Sequence, residues 1–211
     1  MDGTLGYSIS MKEKSDLDEN REDETRKRKI PRKATKSHLE NAALHYLGRF
    51  ATSSQNLKHV LLRRVERSTH HHDTDPDEGA VWVDEIVARF LGSGLLDDRV
   101  YANGRVRSLH ARGNSRKVIR IKLRAKGVEM DLIDAALDAI GDEENGDVDL
   151  IAAQRLAKRR RLGPYRNPGQ REECREKDMA ALARAGFSYH IARQIIEAEE
   201  SETLYPDHGI S

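Results

Sequence analysis

One pattern returns along this chain. Leu123-x-x-x-Gly127-Val128-x-x-x-Leu132-x-x-x-Ala136-Leu137 lies over Leu182-x-x-x-Gly186-Phe187-x-x-x-Ile191-x-x-x-Ile195-Ile196 at a constant offset of 59. Apolar residues at these spacings line one face of a helix, and glycine after such a run supplies the left-handed residue that ends it. Ser53 with Leu57 and Leu61 matches Ser115 with Ile119 and Leu123 at an offset of 62. A chain of 211 residues with this recurrence is constrained to a short array of helical units, each burying its apolar face on the next.

The remaining punctuation predicts nine helices in three sets of three. Ser37-His-Leu-Glu40 reads as a capping box before the stripe Leu39, Ala42, Ala43, Tyr46, Leu47 and Phe50. Ser53 or Ser54 opens a helix with Leu57, Val60, Leu61 and Val65, and Trp82 to Leu91 form a third that stops at Gly92 and Gly94. Asp97 or Asp98 starts the second set, which continues from Ser115 and from Asp131, with stops at Gly113, Gly127 and Gly141. The third set ends on a helix opened by Ser188. The expected fold is all-α, tandem three-helix repeats forming an elongated, curved solenoid. Its units are 37–95, with a polar insertion at 68–79, then 96–146 and 147–200. A disordered charged tail over 1–36 precedes them, because that stretch has too little apolar periodicity to offset chain entropy, and a short tail over 201–211 follows.

Charge is sorted along the chain. Residues 73–98 hold eight acids and one base, 99–126 ten bases and no acid, 129–149 nine acids and no base, and 151–171 seven bases and no acid. The formal net charge of +1 conceals these blocks, which favour contact with a polyanion or an oppositely charged protein face. With 37% hydrophobic and 35% charged residues, and no long apolar run, a membrane span is excluded. A single cysteine, Cys174, excludes an internal disulfide. The start of the chain lacks a secretory pattern, so a cytoplasmic location is expected.

Nothing in the sequence spells out catalysis, a cofactor or a metal. Gly92-Ser-Gly94 lacks the spacing of a dinucleotide loop. His70, His71 and His72, with Asp73 and Asp75, occupy a polar loop in which adjacent histidines are usually incidental. Asp97 and Asp98 precede an apolar helix, which suits capping better than acid–base work. Cys174 stands among Glu172, Glu173 and Glu176, which oppose a thiolate.

Binding is better supported. Arg116, Lys117, Arg120, Arg124 and Lys126 surround a short helix, and Arg116, Arg120 and Arg124 form an i, i+4, i+8 row. Arg105 and Arg112 belong to the same acid-free block. Lys158, Arg159, Arg160, Arg161, Tyr165 and Arg166 make a second cluster, where an aromatic beside cations suits a phosphate-bearing partner.

Gly94-Leu-Leu-Asp97-Asp98-x-x-Tyr101-Ala102, then Arg112-Gly113-x-Ser115-x-x-x-Ile119-x-x-x-Leu123-x-x-Lys126-Gly127-Val128, resembles the RecX regulatory protein family. Ala43-x-x-Tyr46-Leu47 upstream and Ala185-Gly186-Phe187-Ser188 downstream extend the resemblance over about residues 37 to 200. It implies an all-helical, non-enzymatic protein that acts as a monomer and binds the RecA recombinase filament, with single-stranded DNA as a further partner. Such proteins usually limit RecA in recombination and the SOS response. Asp97, Asp98 and Tyr101 match the family's strongest motif; from the residues alone the aspartates read as caps and Tyr101 as a core anchor. The alternative reading is a free-standing helical DNA- or RNA-binding protein with no recombinase partner.

Overall fold

The computed structural model describes residues 30–198, and all regular structure among them is helical. In chain order the helices are α1 (Lys36–Leu47), α2 (Ser54–Thr69), α3 (Pro76–Gly92), α4 (Asp98–Ala111), α5 (Arg116–Arg124), α6 (Met130–Glu144), α7 (Val148–Arg160), α8 (Arg171–Arg184) and α9 (Tyr189–Ile196). Two 3₁₀ turns, Gly163–Tyr165 and Pro168–Gln170, link α7 to α8. Most starts follow from the sequence. Ser53, Asp75, Asp97, Ser115, Asp147 and Ser188 stand in extended backbone, and each side chain accepts a hydrogen bond from an amide of the first turn. Gly94, Gly113, Gly127 and Gly186 hold φ of 74°, 70°, 72° and 87°, the left-handed turn that lets the chain leave a helix.

Three hydrophobic clusters follow one another. The first gathers Leu39, Leu57, Leu61, Val83, Ile86 and Phe90 from α1–α3. The second joins Ala102, Val106, Ile119, Leu123, Ile133 and Leu137 from α4–α6, and borrows Val148 from the first turn of α7. The third packs Ala152, Leu156, Leu182, Phe187 and Ile195 from α7–α9. The chain is thus a tandem array of three-helix units.

Several expectations need correction. The capping residue of α1 is Thr35, whose hydroxyl accepts from the His38 amide at 3.2 Å, so Ser37 lies inside the helix. α6 begins at Met130 after Glu129 and runs through Gly141 to Glu144; the left-handed turn falls on Asn145, φ 48°. Gly141 lies within the helix beside Val148, where an added Cβ would make only an ordinary 3.4 Å contact with a Val148 methyl, so this glycine does not end the helix. Half of the insertion at 68–79 is helical, because α2 extends to Thr69 and α3 starts at Pro76. Gly79 is therefore no loop residue: it brings α3 against Val65 of α2, and any Cβ there would collide with that side chain. Phe50, placed in the apolar stripe, lies beyond the end of α1 and is 51% exposed.

Of the expected N-terminal tail, residues 1–29 lie outside the described residues, as does the expected tail at 201–211. The stretch just before α1 is packed. Ala34 is buried and its amide donates to Ser68 Oγ at 2.8 Å; the same hydroxyl meets that of Thr74 at 2.7 Å. The His72 ring, 2.6 Å from the Pro31 carbonyl, has a structural partner of its own.

Gly94 and Gly186 separate two effects. Both have positive φ, but a Cβ at Gly94 meets nothing within 4 Å, whereas one at Gly186 would lie 2.5 Å from Ser115 Oγ and 2.9 Å from a Val118 methyl. Gly94→Ala is expected to cost about 1–2 kcal/mol from backbone strain, and Gly186→Ala about 1–3 kcal/mol more from overpacking. Urea unfolding of the two variants checks this, and equal losses would contradict it.

Candidate partner-binding surface

The units are fastened by a joint that occurs twice. Ser53 and Ser115, both fully buried, cap the second helix of one unit and also donate into the next. Ser53 Oγ donates to the carbonyl of Lys126, and Ser115 Oγ donates to that of Ala185 at 2.9 Å. Each acceptor is the residue before a glycine, Gly127 or Gly186, that turns between the second and third helices of its unit. A carboxylate completes each joint. Asp98 accepts from the Ser54 amide at 2.7 Å and the Ser54 hydroxyl at 2.5 Å; Asp149 accepts from the Arg116 amide at 2.7 Å. Orphan amides at a helix start are thereby satisfied by the neighbouring unit. His110, 1% exposed, adds to the second joint: its Nε2 lies 2.8 Å from the Val148 carbonyl and its Nδ1 3.0 Å from an Arg155 nitrogen. The neutral tautomer with a proton on Nε2 satisfies both contacts.

This geometry separates the residues of the Asp97–Tyr101 motif. Asp97 caps α4, accepting from the Arg99 and Val100 amides at 2.9 Å each. Asp98 belongs to the joint. Tyr101 is buried in the second cluster, and its hydroxyl pKa is raised, chiefly by burial, against the opposing pull of the nearby Arg105 charge.

The charge blocks meet in space. Arg107 pairs with Glu143, Arg116 with Asp138 at 3.0 Å, Arg120 with Asp134 at 2.7 Å, and Arg155 with Glu144 at 3.0 Å. Basic α4 and α5 therefore lean on acidic α6, and the expected ridge Arg116–Arg120–Arg124 is not a continuous free surface. Burial of Ile119 and Leu123 turns Lys117, Ile121 and Arg124 outward instead, with Ile121 59% exposed. Lys126 bonds to Asn56 at 3.3 Å across the first joint. Arg166 is also committed. Its guanidinium holds Asp178, which is 2% exposed and also accepts from the Gly163 amide at 2.9 Å. That hydrogen bond raises the Arg166 pKa further. Tyr165 packs partly into the third cluster.

Several of the candidate cations remain open. Among the described residues, Arg112, Lys117, Arg124, Lys158, Arg159, Arg160 and Arg161 are exposed and outside any ion pair. Lys158, Arg159 and Arg160 occupy the last turn of α7, where the helix dipole favours cations, and Arg161 leaves it at φ 54°. Gly113 presses on Ala152 and Leu156, with a Cβ there only 2.8 Å from either. Arg112 thus sits beside the face of α7 that Arg159 and Arg160 continue one turn further on. The sequence clusters pointed to these cations, but the joint residues Ser54, Asp149 and His110 and the buried Asp178 carried no local signal beyond the recurring Ser-to-Gly spacing.

Tandem three-helix units, a serine-and-aspartate joint and a cationic surface across the second joint define a helical repeat protein built around contacts. A family model described as RecX, second three-helix domain, matches residues 97–137, starting at the α4 cap. The chain is 47% identical over 171 residues to a Myxococcus xanthus protein named regulatory protein RecX, a match covering 81% of this chain and 90% of that protein. An Agrobacterium fabrum protein of the same name is 31% identical over 173 residues, covering 81% and 89%. The chain belongs to the RecX family. A crystal structure of regulatory protein RecX superposes with a TM-score of 0.54 at 23% identity, covering 92% of this chain and 81% of that one. RecX from Lactobacillus salivarius gives 0.51 at 24%, covering 77% and 94%. Those two structures share the fold.

Removing a joint carboxylate tests the fastening. Asp98→Ala is expected to lower stability by about 1–3 kcal/mol, because the Ser54 amide and hydroxyl lose their acceptor. Amide exchange at Ser54 should accelerate while that at Arg116 is unchanged; Asp149→Ala should reverse the pattern. Loss of protection at both amides in either variant would show that the joints do not open separately.

Proposed function

We propose that this protein binds RecA assembled on single-stranded DNA and restrains its ATP hydrolysis and strand exchange, acting as a monomeric cytoplasmic regulator without catalysis of its own. Family membership carries the reading, since the relatives are named regulatory proteins. The proposed working surface is Lys158, Arg159, Arg160 and Arg161 with Arg112 across the second joint, and Lys117 with Arg124 beside it. These cations have no internal partner to give up, so an external phosphate or carboxylate meets them at little cost in broken contacts. The three units, nominally 37–95, 96–146 and 147–200, would follow the filament as an array.

Insertion of a helix into duplex DNA is disfavoured for the middle unit. Its third helix, α6, carries Asp131, Asp134, Asp138, Asp142, Glu143 and Glu144 and no base. Such a helix repels phosphates.

RecA ATP hydrolysis on single-stranded DNA, titrated with the protein, tests the reading. Wild type is expected to inhibit. Lys158→Glu, Arg159→Glu and Arg160→Glu combined should raise the half-inhibiting concentration by about tenfold or more and flatten its salt dependence. Each exposed change should move stability by less than about 0.5 kcal/mol. Reversing Arg116 and Arg120 is expected instead to loosen the α5–α6 contact, by about 0.2–1 kcal/mol per exposed pair. Full inhibition by the folded triple variant would remove the surface assignment, and no effect of wild type on RecA would remove the functional one.

A further inference from the structure

The turn between α1 and α2 displays an aromatic ring that the fold does not bury. The Gly48 and Phe50 amides turn back onto the Leu44 and Tyr46 carbonyls, each at 2.9 Å, so α1 closes before Phe50, which stays half-exposed. The ring centroid lies 5.2 Å from that of Tyr46 at 45°, and the Arg49 guanidinium carbon is 5.6 Å from the Phe50 centroid. The Tyr46 hydroxyl accepts from Asn56 Nδ2 at 3.3 Å, and Asn56 Oδ1 accepts from Lys126 Nζ at 3.3 Å. From the second unit, Tyr101 and Arg105 of α4 lie near enough to Tyr46 and to each other to interact electrostatically. The first joint therefore gathers an exposed ring, two further tyrosines and three cations contributed by both units.

The charge around this ring is one-sided. None of Arg49, Arg105 and Lys126 is in an ion pair among the described residues, and the carboxylate at this joint, Asp98, is occupied by Ser54. The residues flanking Phe50 in the turn are Gly48, Arg49 and Ala51, and the Arg49 cation beside the ring suits an anionic partner. An unstacked base with a phosphate on either side matches both features, since every base offers a π-face and every linkage an anion. Duplex DNA does not, because its base faces are stacked within the helix.

We propose that the joint between the first two units is a single-stranded DNA contact, in which one base lies on the Phe50 ring and the adjoining phosphates meet Arg49 and Lys126. This deepens the reading that the protein works on DNA-bound RecA, and it adds a site remote from the α7 cations. Base contact here would tie the strand to both units at once.

The test compares fluorescence anisotropy of a labelled oligothymidylate with that of an abasic strand of equal length, using the full chain at low salt. Wild type is expected to prefer the strand with bases by about tenfold. Phe50→Ala and Phe50→Leu should abolish the preference, Phe50→Trp should keep it, and Arg49→Ala or Lys126→Ala should weaken both strands alike. Half-exposed Phe50 makes folded variants the expectation, with thermal unfolding as the control. Equal binding of the two strands by wild type, or a preference that survives Phe50→Ala, overturns the proposal. Tighter binding of oligouridylate than oligothymidylate overturns the assignment to DNA. A Phe50→Ala protein that keeps base preference but loses binding to RecA-coated strand places the ring against protein instead. Wild-type effects on RecA ATP hydrolysis are read separately, so a failure of RecA regulation does not alter the base-dependence result.

Discussion

The arrangement of this protein depends on two buried serine hydroxyls. Ser53 and Ser115 each accept from an amide of their own helix and donate to a carbonyl of the next unit. A fully buried hydroxyl must satisfy both roles or destabilise the fold, so the position of one unit relative to the next follows from local capping. Glycine completes the constraint. Gly127 lies against Gln55, and Gly186 against Ser115 and Val118, so closely that a side chain would force the units apart. The same two glycines also need positive φ, so one residue type meets a backbone requirement and an intermolecular-style packing requirement together.

Electrostatics follows from that placement. Blocks of opposite sign along the chain suggest a strong field, yet folding sets α4 and α5 against α6 and α7 against the end of α6, so much of the charge is cancelled internally. These pairs are largely exposed and individually weak; their consequence is to decide which cations stay available. Arg116 and Arg120 are taken, whereas Lys158 to Arg161 are not. Among the candidate cations, those of the α7 end stay unpaired while two of the three in the α5 row do not.

Each joint therefore has two aspects, mechanical on the inside and chemical on the outside. The first shows aromatic rings and cations around Asn56; the second shows Arg112 beside the cationic end of α7. In an array of weakly coupled units such joints are where neighbouring elements bring together residues distant in sequence, and both proposed contacts lie there.

Much of the fold was legible in the sequence. Ser53, Asp97, Ser115 and Ser188 cap helices by a chemistry that acts over three residues, and Gly127 and Gly186 end them by a conformational freedom that no neighbour can alter. The spacing of Ile119 and Leu123 likewise fixed which face of α5 is buried. Less of the candidate surface could be read. Thr35 displaced Ser37 as a cap and Gly141 continued a helix, two outcomes that the local spacing left open. Phe50 matched the apolar stripe but fell one turn past the helix end. Whether Arg116 or Arg159 is free depends on which carboxylate lies across from it, and carboxylates such as Asp138 or Asp178 come near only once helices pack. Short-range capping and periodicity were set by the amino-acid order itself. The partners of a charge, and so the surface left for binding, were decided only by the tertiary structure, because ion pairing depends on distance in space and not along the chain.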